Sequence, residues 1–290
     1  MYKIPLAELI DQTIKWLQNN FGDNLDSFSS SLTDGIQSLG HLLTIVPWWV
    51  IILIFAFIAW RVNGWKLMLG TIIGLFFIYN LELWAPFLDT LILVIISAMV
   101  SIIIGVPLGI LAGRNDRFHW VISPLLDFMQ TMPSFVYLIP ALLFFGIGKV
   151  PAVFATVIFA MPPAIRLTDL GIRQVPLDLV EVGEAFGSTP WQLLWKIQLP
   201  VALPTIMAGL NQTMMLSLSM VVIAAMIGAG GLGAGVLEAI GQLKIGMGFE
   251  YGVAVVIMAM ILDRLSQGIG HSLRTDTQTS KRRKSNEQSS

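Results

Sequence analysis

The chain has 290 residues, 55% hydrophobic and 12% charged, carries a formal net charge of −1 and contains no cysteine. A soluble domain holds about 25% charged residues. Half that share, a mean hydropathy of +0.76 and apolar blocks too long for core helices exclude a soluble globular fold or a nucleic-acid binder and predict an all-α, polytopic membrane helix bundle.

The N-terminal stretch MYKIPLAELIDQTIKWLQNN lacks the continuous apolar core and small-residue cleavage site of a signal peptide. Residues 5 to 17 place Leu6, Leu9, Ile10, Ile14 and Leu17 on one helical face, with Pro5 suited to the first helical position. The expectation is a helix lying on the outer leaflet or packed on the transmembrane body. Seven stretches then approach the about 20 mostly apolar residues that a span needs: His41–Trp60, Leu67–Leu83, Pro86–Ala112, Trp120–Ile147, Val150–Thr168, Val201–Ile227 and Gly248–Leu265. The third contains Gly105, Pro107 and Gly109, the fourth Pro133 and Pro140, and the fifth Pro162 and Pro163. In lipid such breakers survive where neighbouring helices or a wet cavity satisfy the freed backbone groups, so they mark either kinks or the lining of a pathway. The C-terminal TDTQTSKRRKSNEQSS is polar, basic and predicted to be disordered.

Lysine and arginine set the orientation. With the C-terminus in the cytoplasm, the inner segments carry Arg61, Lys66, Arg114, Arg117, Arg166, Arg173, Lys196 and Arg264 and the basic tail, and the outer ones only Lys3, Lys15, Lys149 and Lys244. The N-terminus is then outside. Trp48, Trp49, Trp60, Trp65, Trp84, Trp120, Trp191 and Trp195 fall at span ends or in connections, as an interfacial belt does.

The stretch from Asp169 to Pro200 is the longest polar connection between spans and reads as two short helices. Pro176 can open the first, and Gly187 suits a left-handed C-terminal position. Thr189, Pro190 and Gln192 form a capping box for the second, which Pro200 is expected to stop. The second helix is apolar over most of its circumference, through Trp191, Leu193, Leu194, Trp195, Ile197 and Leu199, while the first sets Asp178, Glu181 and Glu184 beside Val180, Val182 and Ala185. Such a surface must meet lipid headgroups, the bundle or another protein.

Glu181, Gly183, Gly187, Ile197, Leu199 and Pro200 resemble the cytoplasmic loop of ABC importer permeases, whose pattern is Glu-Ala-Ala, three residues, Gly, nine residues, Ile, one residue, Leu-Pro. Every spacing fits, with Val182 and Gly183 in place of the two alanines. EVGEAFGSTPWQLLWKIQLPVALPTIMAGLNQTMMLSLSMVVIAAMIGAGGLG, PSFVYLIPALLFFGIGKVPAV and IGVPLGILAGR are similar to the glycine betaine/proline branch, over roughly Trp84 to Gly270. The resemblance implies a type I ABC importer permease-like core. Its coupling loop would seat Glu181, Gly183, Glu184, Ala185, Gly187, Ile197, Leu199 and Pro200 in a groove of a separate ATPase. It also implies two ATP-binding subunits, a separate extracytoplasmic binding protein, a second permease copy, and no cofactor on this chain, the partner using ATP and magnesium. The divisions expected are an external tail over 1–40, two accessory spans over 41–84, the core over 85–270 with its loop at 169–200, and a basic tail over 271–290.

Asp127 and Gln130 in the fourth span, and Asn211 and Gln212 in the sixth, are candidates to line a translocation pathway; hydrogen bonding between helices is the other reading. Arg166 and Asp169 are expected to pair with each other. Gly228-Ala-Gly230-Gly-Leu-Gly233 fits G-x-G-x-x-G but follows an apolar span, so a flexible or closely packed external turn is expected there and no nucleotide site. A secondary transporter or channel is the alternative, but it leaves the polar connection unexplained, and no clustered catalytic groups support a membrane enzyme.

Overall fold

In the computed structural model, residues 29–288 are described, with Asn20 and Ser27 besides, and side chains extend to residue 268. The predicted surface helix over residues 5–17 lies outside the described residues. Among the described residues the chain is helical, without strands.

The helices are α1 (Ser29–Ile45), α2 (Trp48–Asn63), α3 (Trp65–Asn80), α4 (Trp84–Arg114), α5 (Asp116–Thr131), α6 (Leu138–Phe145) and α7 (Lys149–Arg173). They continue with α8 (Leu177–Ala185), α9 (Pro190–Leu193), α10 (Leu199–Ile223), α11 (Gly231–Gly241) and α12 (Ile245–Gln288). Four uninterrupted apolar helical stretches are long enough to cross a membrane: Trp84–Arg114, Lys149–Arg173, Pro190–Ile227 and Ile245–Gly268.

The seven predicted spans are therefore not seven straight rods. Trp120–Ile147 is broken: α5 ends at Thr131, Met132 and Pro133 are extended, and the following helix is bent by 110°. His41–Trp60 crosses a 100° bend at Val46-Pro47, so its first residues belong to α1. A residue before proline is pushed out of the helical region, which accounts for both breaks. The second predicted span is α3, 16 residues and so about 24 Å long. The backbone of α12 continues as helix to Gln288, across the tail predicted to be disordered. No glycine or proline interrupts that stretch after Gly270, and its Lys, Arg, Gln and Glu are good helix formers.

Pro107, Pro162, Pro163 and Pro204 sit inside continuous helices. Close helix packing supports them. Gly105, Gly109 and Gly113 lie four residues apart on one face of α4, pressed against α7. A Cβ at Gly109 would stand 2.6 Å from the Ile165 carbonyl oxygen and from Thr168 Cβ, and one at Gly113 2.8 Å from Ile172 Cβ. On the other side of α7, a Cβ at Gly209 of α10 would stand 3.0 Å from the Pro163 carbonyl oxygen. Small residues at four-residue spacing let helix backbones approach in this way. α7 is thus held between α4 and α10.

At the end of the bundle away from the α7–α10 connection, Lys149 Nζ lies 2.5 Å from Asp89 and Gly148 N–H donates to the Ile227 carbonyl at 2.9 Å. The glycine run that follows is a closely packed turn. Gly228, Gly230 and Gly231 have φ of 85°, 78° and 69°, and Leu232 N–H donates to Thr90 Oγ1 at 2.8 Å. α11 starts there; its 11 residues are too few for a span. There too, Trp48 stacks on Tyr79 at 4.3 Å and Tyr79 meets Trp84 edge-on, joining α2, α3 and α4.

Candidate coupling site

The connection between α7 and α10 is a helical hairpin. α7 ends at Arg173, with Gln174 N–H donating to Leu170 O and Val175 N–H to Ile172 O. Pro176 occupies the N-cap of α8. α8 closes with Gly187 N–H donating to Glu184 O at 2.8 Å and Ser188 N–H to Gly183 O at 3.1 Å, with Gly187 at φ 75°. This six-to-one bond over a left-handed glycine is the Schellman arrangement. The second helix opens on the predicted capping box: Gln192 N–H donates to Thr189 Oγ1, and Thr189 N–H to Gln192 Oε1.

Pro200 does not stop that helix. Residues Leu194–Gln198 form a π turn, with Leu199 N–H donating to Leu194 O, and the chain runs on into α10. An α-helical Pro200 would need the bond to Lys196 O that its ring nitrogen cannot donate. Shifting the ladder by one residue just before it absorbs the defect, and π turns of this kind gather at functional sites.

Gly183 is buried where the two hairpin helices touch: a Cβ there would stand 2.6 Å from Ile197 Cδ1 and 2.7 Å from Leu193 Cδ1. Gly187 faces open space, so it serves the turn and not a close approach. Leu194 is buried with Ile172, Ala202 and Ile206, anchoring the hairpin to the bundle, and Leu199 packs against that cluster. Glu181, Glu184, Ala185 and Pro200 are exposed, and Ile197 is half-buried. The outer surface carries Leu177, Val182, Trp191, Trp195 and Phe186, the last 86% exposed. Trp191 and Trp195 meet edge-to-face with centroids 5.7 Å apart. Leu177 and Phe186 were not singled out in sequence; Phe186 lies in the spacer before Gly187, where an aromatic at a turn is the available signal.

The charged residues near the hairpin do not pair as expected. Arg166 pairs with Asp127 of α5, and Asp169 does not bind Arg166. Along α7, Asp169 lies one turn before Arg173 and Arg166 two turns before it, and apart from the Asp169–Arg173 bond the partners lie across helices. Arg173 Nε donates to Asp169 at 2.8 Å, Nη1 to Asp116 at 2.6 Å and Nη2 to the Ala112 carbonyl at 2.8 Å. His119 Nδ1 lies 2.7 Å from the other oxygen of Asp169, which is 7% exposed. Asn115 caps α5 by accepting from the Arg117 and Phe118 N–H groups.

Asp127 is thus an ion-pair partner, exposed at the side of α5, and Gln130 is exposed one turn on. On α10, Gln212 is exposed, while Asn211 Oδ1 is buried without a hydrogen-bond partner. No hydrogen bond joins the α5 pair to the α10 pair among the described residues. No cluster of three metal-ligating side chains occurs among them either.

The family described as binding-protein-dependent transport system inner membrane component matches residues 105–274. This chain belongs to that family. The permease is 50% identical to the glycine betaine transport system permease protein OpuAB of Bacillus subtilis (strain 168), covering 92% of this chain and 95% of that protein. It is 48% identical to the glycine betaine/carnitine transport permease protein GbuB of Listeria monocytogenes serotype 1/2a (strain 10403S), covering 94% and 98%. At that coverage the likeness takes in α2 and α3 as well, beyond the Trp84–Gly270 stretch that carries it in sequence motifs. A chain of the inward-facing MetNI methionine ABC transporter shares the fold, with a TM-score of 0.58 over 64% of the permease and 93% of that chain, at 23% identity. The segment matched by the family holds the end of α4 from Gly105, all of α7 and α10, the hairpin and the Arg173 contacts; the permease is a multi-pass transport component of the inner membrane.

Proposed function

We propose that this permease carries glycine betaine or a related quaternary amine into the cell, as a homodimer driven by two ATP-binding subunits and loaded by an extracytoplasmic binding protein. ATP and magnesium would be used by the partner, with no cofactor on this chain. The observation that carries the coupling is the hairpin's surface. Leu177, Val182, Phe186 and Trp191 are displayed outward while Gly183, Leu193 and Leu194 hold the unit together and to the bundle. Apolar surface of this kind marks a protein or membrane contact, and Glu181 and Glu184 beside it favour a protein partner, to which they offer charge-assisted bonds. The identity to OpuAB and GbuB supports the substrate class.

The hairpin end is then cytoplasmic, in keeping with the basic residues gathered there. Closure of the ATPase pair around ATP would displace the two hairpins and tilt the α7–α10 pairs, switching access from one side to the other. Gln130 and Gln212, polar and exposed on apolar helices, would be covered by the second copy or would line the wet route between copies.

Because the chain has no native cysteine, a single F186C variant is a clean probe. Cross-linking from it in native membranes is expected to capture a nucleotide-hydrolysing subunit, and vesicles holding the whole complex to accumulate labelled betaine only with ATP on the hairpin side. Accumulation in energy-depleted vesicles, or no ATPase captured, would replace this reading with a secondary transporter.

A further inference from the structure

α5 is the least embedded long helix of the core. Only Ile122 and Leu126 along it are buried, against Ala112 and Ile165, while Trp120, Val121, Leu125 and Phe128 are exposed. Phe118 and Met129 pack partly buried beside Ile122 and Leu126, and Tyr137 Oη donates to the Met129 carbonyl, while the charged ties of α5 all reach α7: Asp116 to Arg173, His119 to Asp169, and Asp127 to Arg166. Arg173 is the junction. Besides gripping α5 it donates to the Ala112 carbonyl in the last turn of α4, and only Gln174, Val175 and Pro176 separate it from α8. That link is short and stiff, since Gln174 and Val175 donate back into α7 and Val175 is buried.

We propose that Arg173 is the positioning residue that makes α5 move with the hairpin. A displacement of α8 reaches Arg173 directly. The planar guanidinium, bonded to α4, α5 and its own helix at once, carries the start of α5 along. A point-charge lysine cannot hold three acceptors in that fork. Through α5 the movement reaches the 110° bend at Met132-Pro133, and so α6. Without the junction the α4–α7–α10 core still follows the hairpin, but α5 lags on its narrow apolar strip. This rests on the hairpin being the coupling element.

The test uses the complete complex in vesicles, with labelled glycine betaine uptake and ATP hydrolysis measured together. The wild-type arm tests the underlying reading: uptake independent of ATP sinks that reading, and the proposal with it, before any variant is made. R173Q is expected to assemble and to hydrolyse ATP at the wild-type basal rate, while betaine moved per ATP falls about tenfold, within the range of couplings between sites. In R173Q carrying H119C and D169C, a short thiol-reactive linker joining α5 to α7 is expected to restore most of that yield. Unchanged betaine per ATP in R173Q overturns the proposal. So does a parallel loss of uptake and hydrolysis that the linker leaves untouched, because Arg173 would then only hold the fold.

Discussion

The core of three helices and the hairpin that joins two of them both use glycine to bring helices together, but against different obstacles. Along α4 and α10 the obstacle is backbone: Gly109 faces the Ile165 carbonyl at 2.6 Å and Gly209 the Pro163 carbonyl at 3.0 Å from where a Cβ would be. In the hairpin it is the tips of side chains, Ile197 Cδ1 and Leu193 Cδ1 against Gly183. Backbone in a packed helix cannot step aside; a terminal methyl can rotate away. The core is therefore built to move as one body, and the hairpin has room to adjust where it meets a partner.

Gly109→Leu breaks the comparison on its rigid side and carries the largest expected effect. The new side chain must separate α4 from α7 along the whole glycine seam, an overpacking cost of about 1–3 kcal/mol or more. The melting temperature of the purified permease is expected to fall by roughly 5–10 °C, with a lower yield of folded protein. An unchanged melting temperature would mean that the two helices can part without loss, and the single-body description of the core would fail.

Gly187→Val attacks the hairpin through conformation instead of space. Nothing stands within 4 Å of a Cβ there, but φ is 75°, which a β-branched residue adopts at a cost of about 1–3 kcal/mol. The strain is local to the Schellman turn, so the melting temperature should hold while ATP-coupled uptake drops about tenfold. Gly187→Asn is the control, since asparagine tolerates the left-handed region. If the Asn variant lost as much as the Val variant, contact with the partner and not backbone geometry would govern this position.

The hairpin's local chemistry was readable from sequence because it is local. The capping box spans four residues, and the left-handed glycine follows from the end of a nine-residue helix. The bundle's breaks were not. Pro107, Pro162 and Pro204 lie within continuous helices, while Pro47 and Pro133 end theirs, and the difference is made by flanking helices far away in sequence. The ion pairs were missed for the same reason: Arg166 meets Asp127 39 residues away and Arg173 meets Asp116 57 residues away, each on a different helix. Charges at the ends of apolar segments, all on one side by the basic-residue rule, were the signal available. The π turn before Pro200 had a weaker one, a proline expected to stop a helix that instead continues.

Gly183→Ala should have the smallest effect, and it tests the hairpin's side of the comparison directly. Glycine inside a helix is about 1 kcal/mol less favourable than alanine, so the substitution gains helix stability in α8. Against that, Ile197 and Leu193, whose Cδ1 atoms would stand 2.6 and 2.7 Å from the new Cβ, must each swing that methyl away by roughly 1 Å to reach ordinary contact, and Ile197 is only half-buried. The two contributions oppose and nearly cancel, so coupled uptake should stay within about twofold of wild type, an energy difference near 0.4 kcal/mol. The resemblance points the same way, because alanine is the residue its pattern places at this position. Gly183→Leu brings three more carbons into the same gap, and rotation of two methyl groups cannot clear them; the hairpin helices must part and coupling must fall. If alanine proved as damaging as leucine, the contact at Gly183 would be as unyielding as the one at Gly109, and the distinction between a rigid core and an adjustable hairpin would not stand.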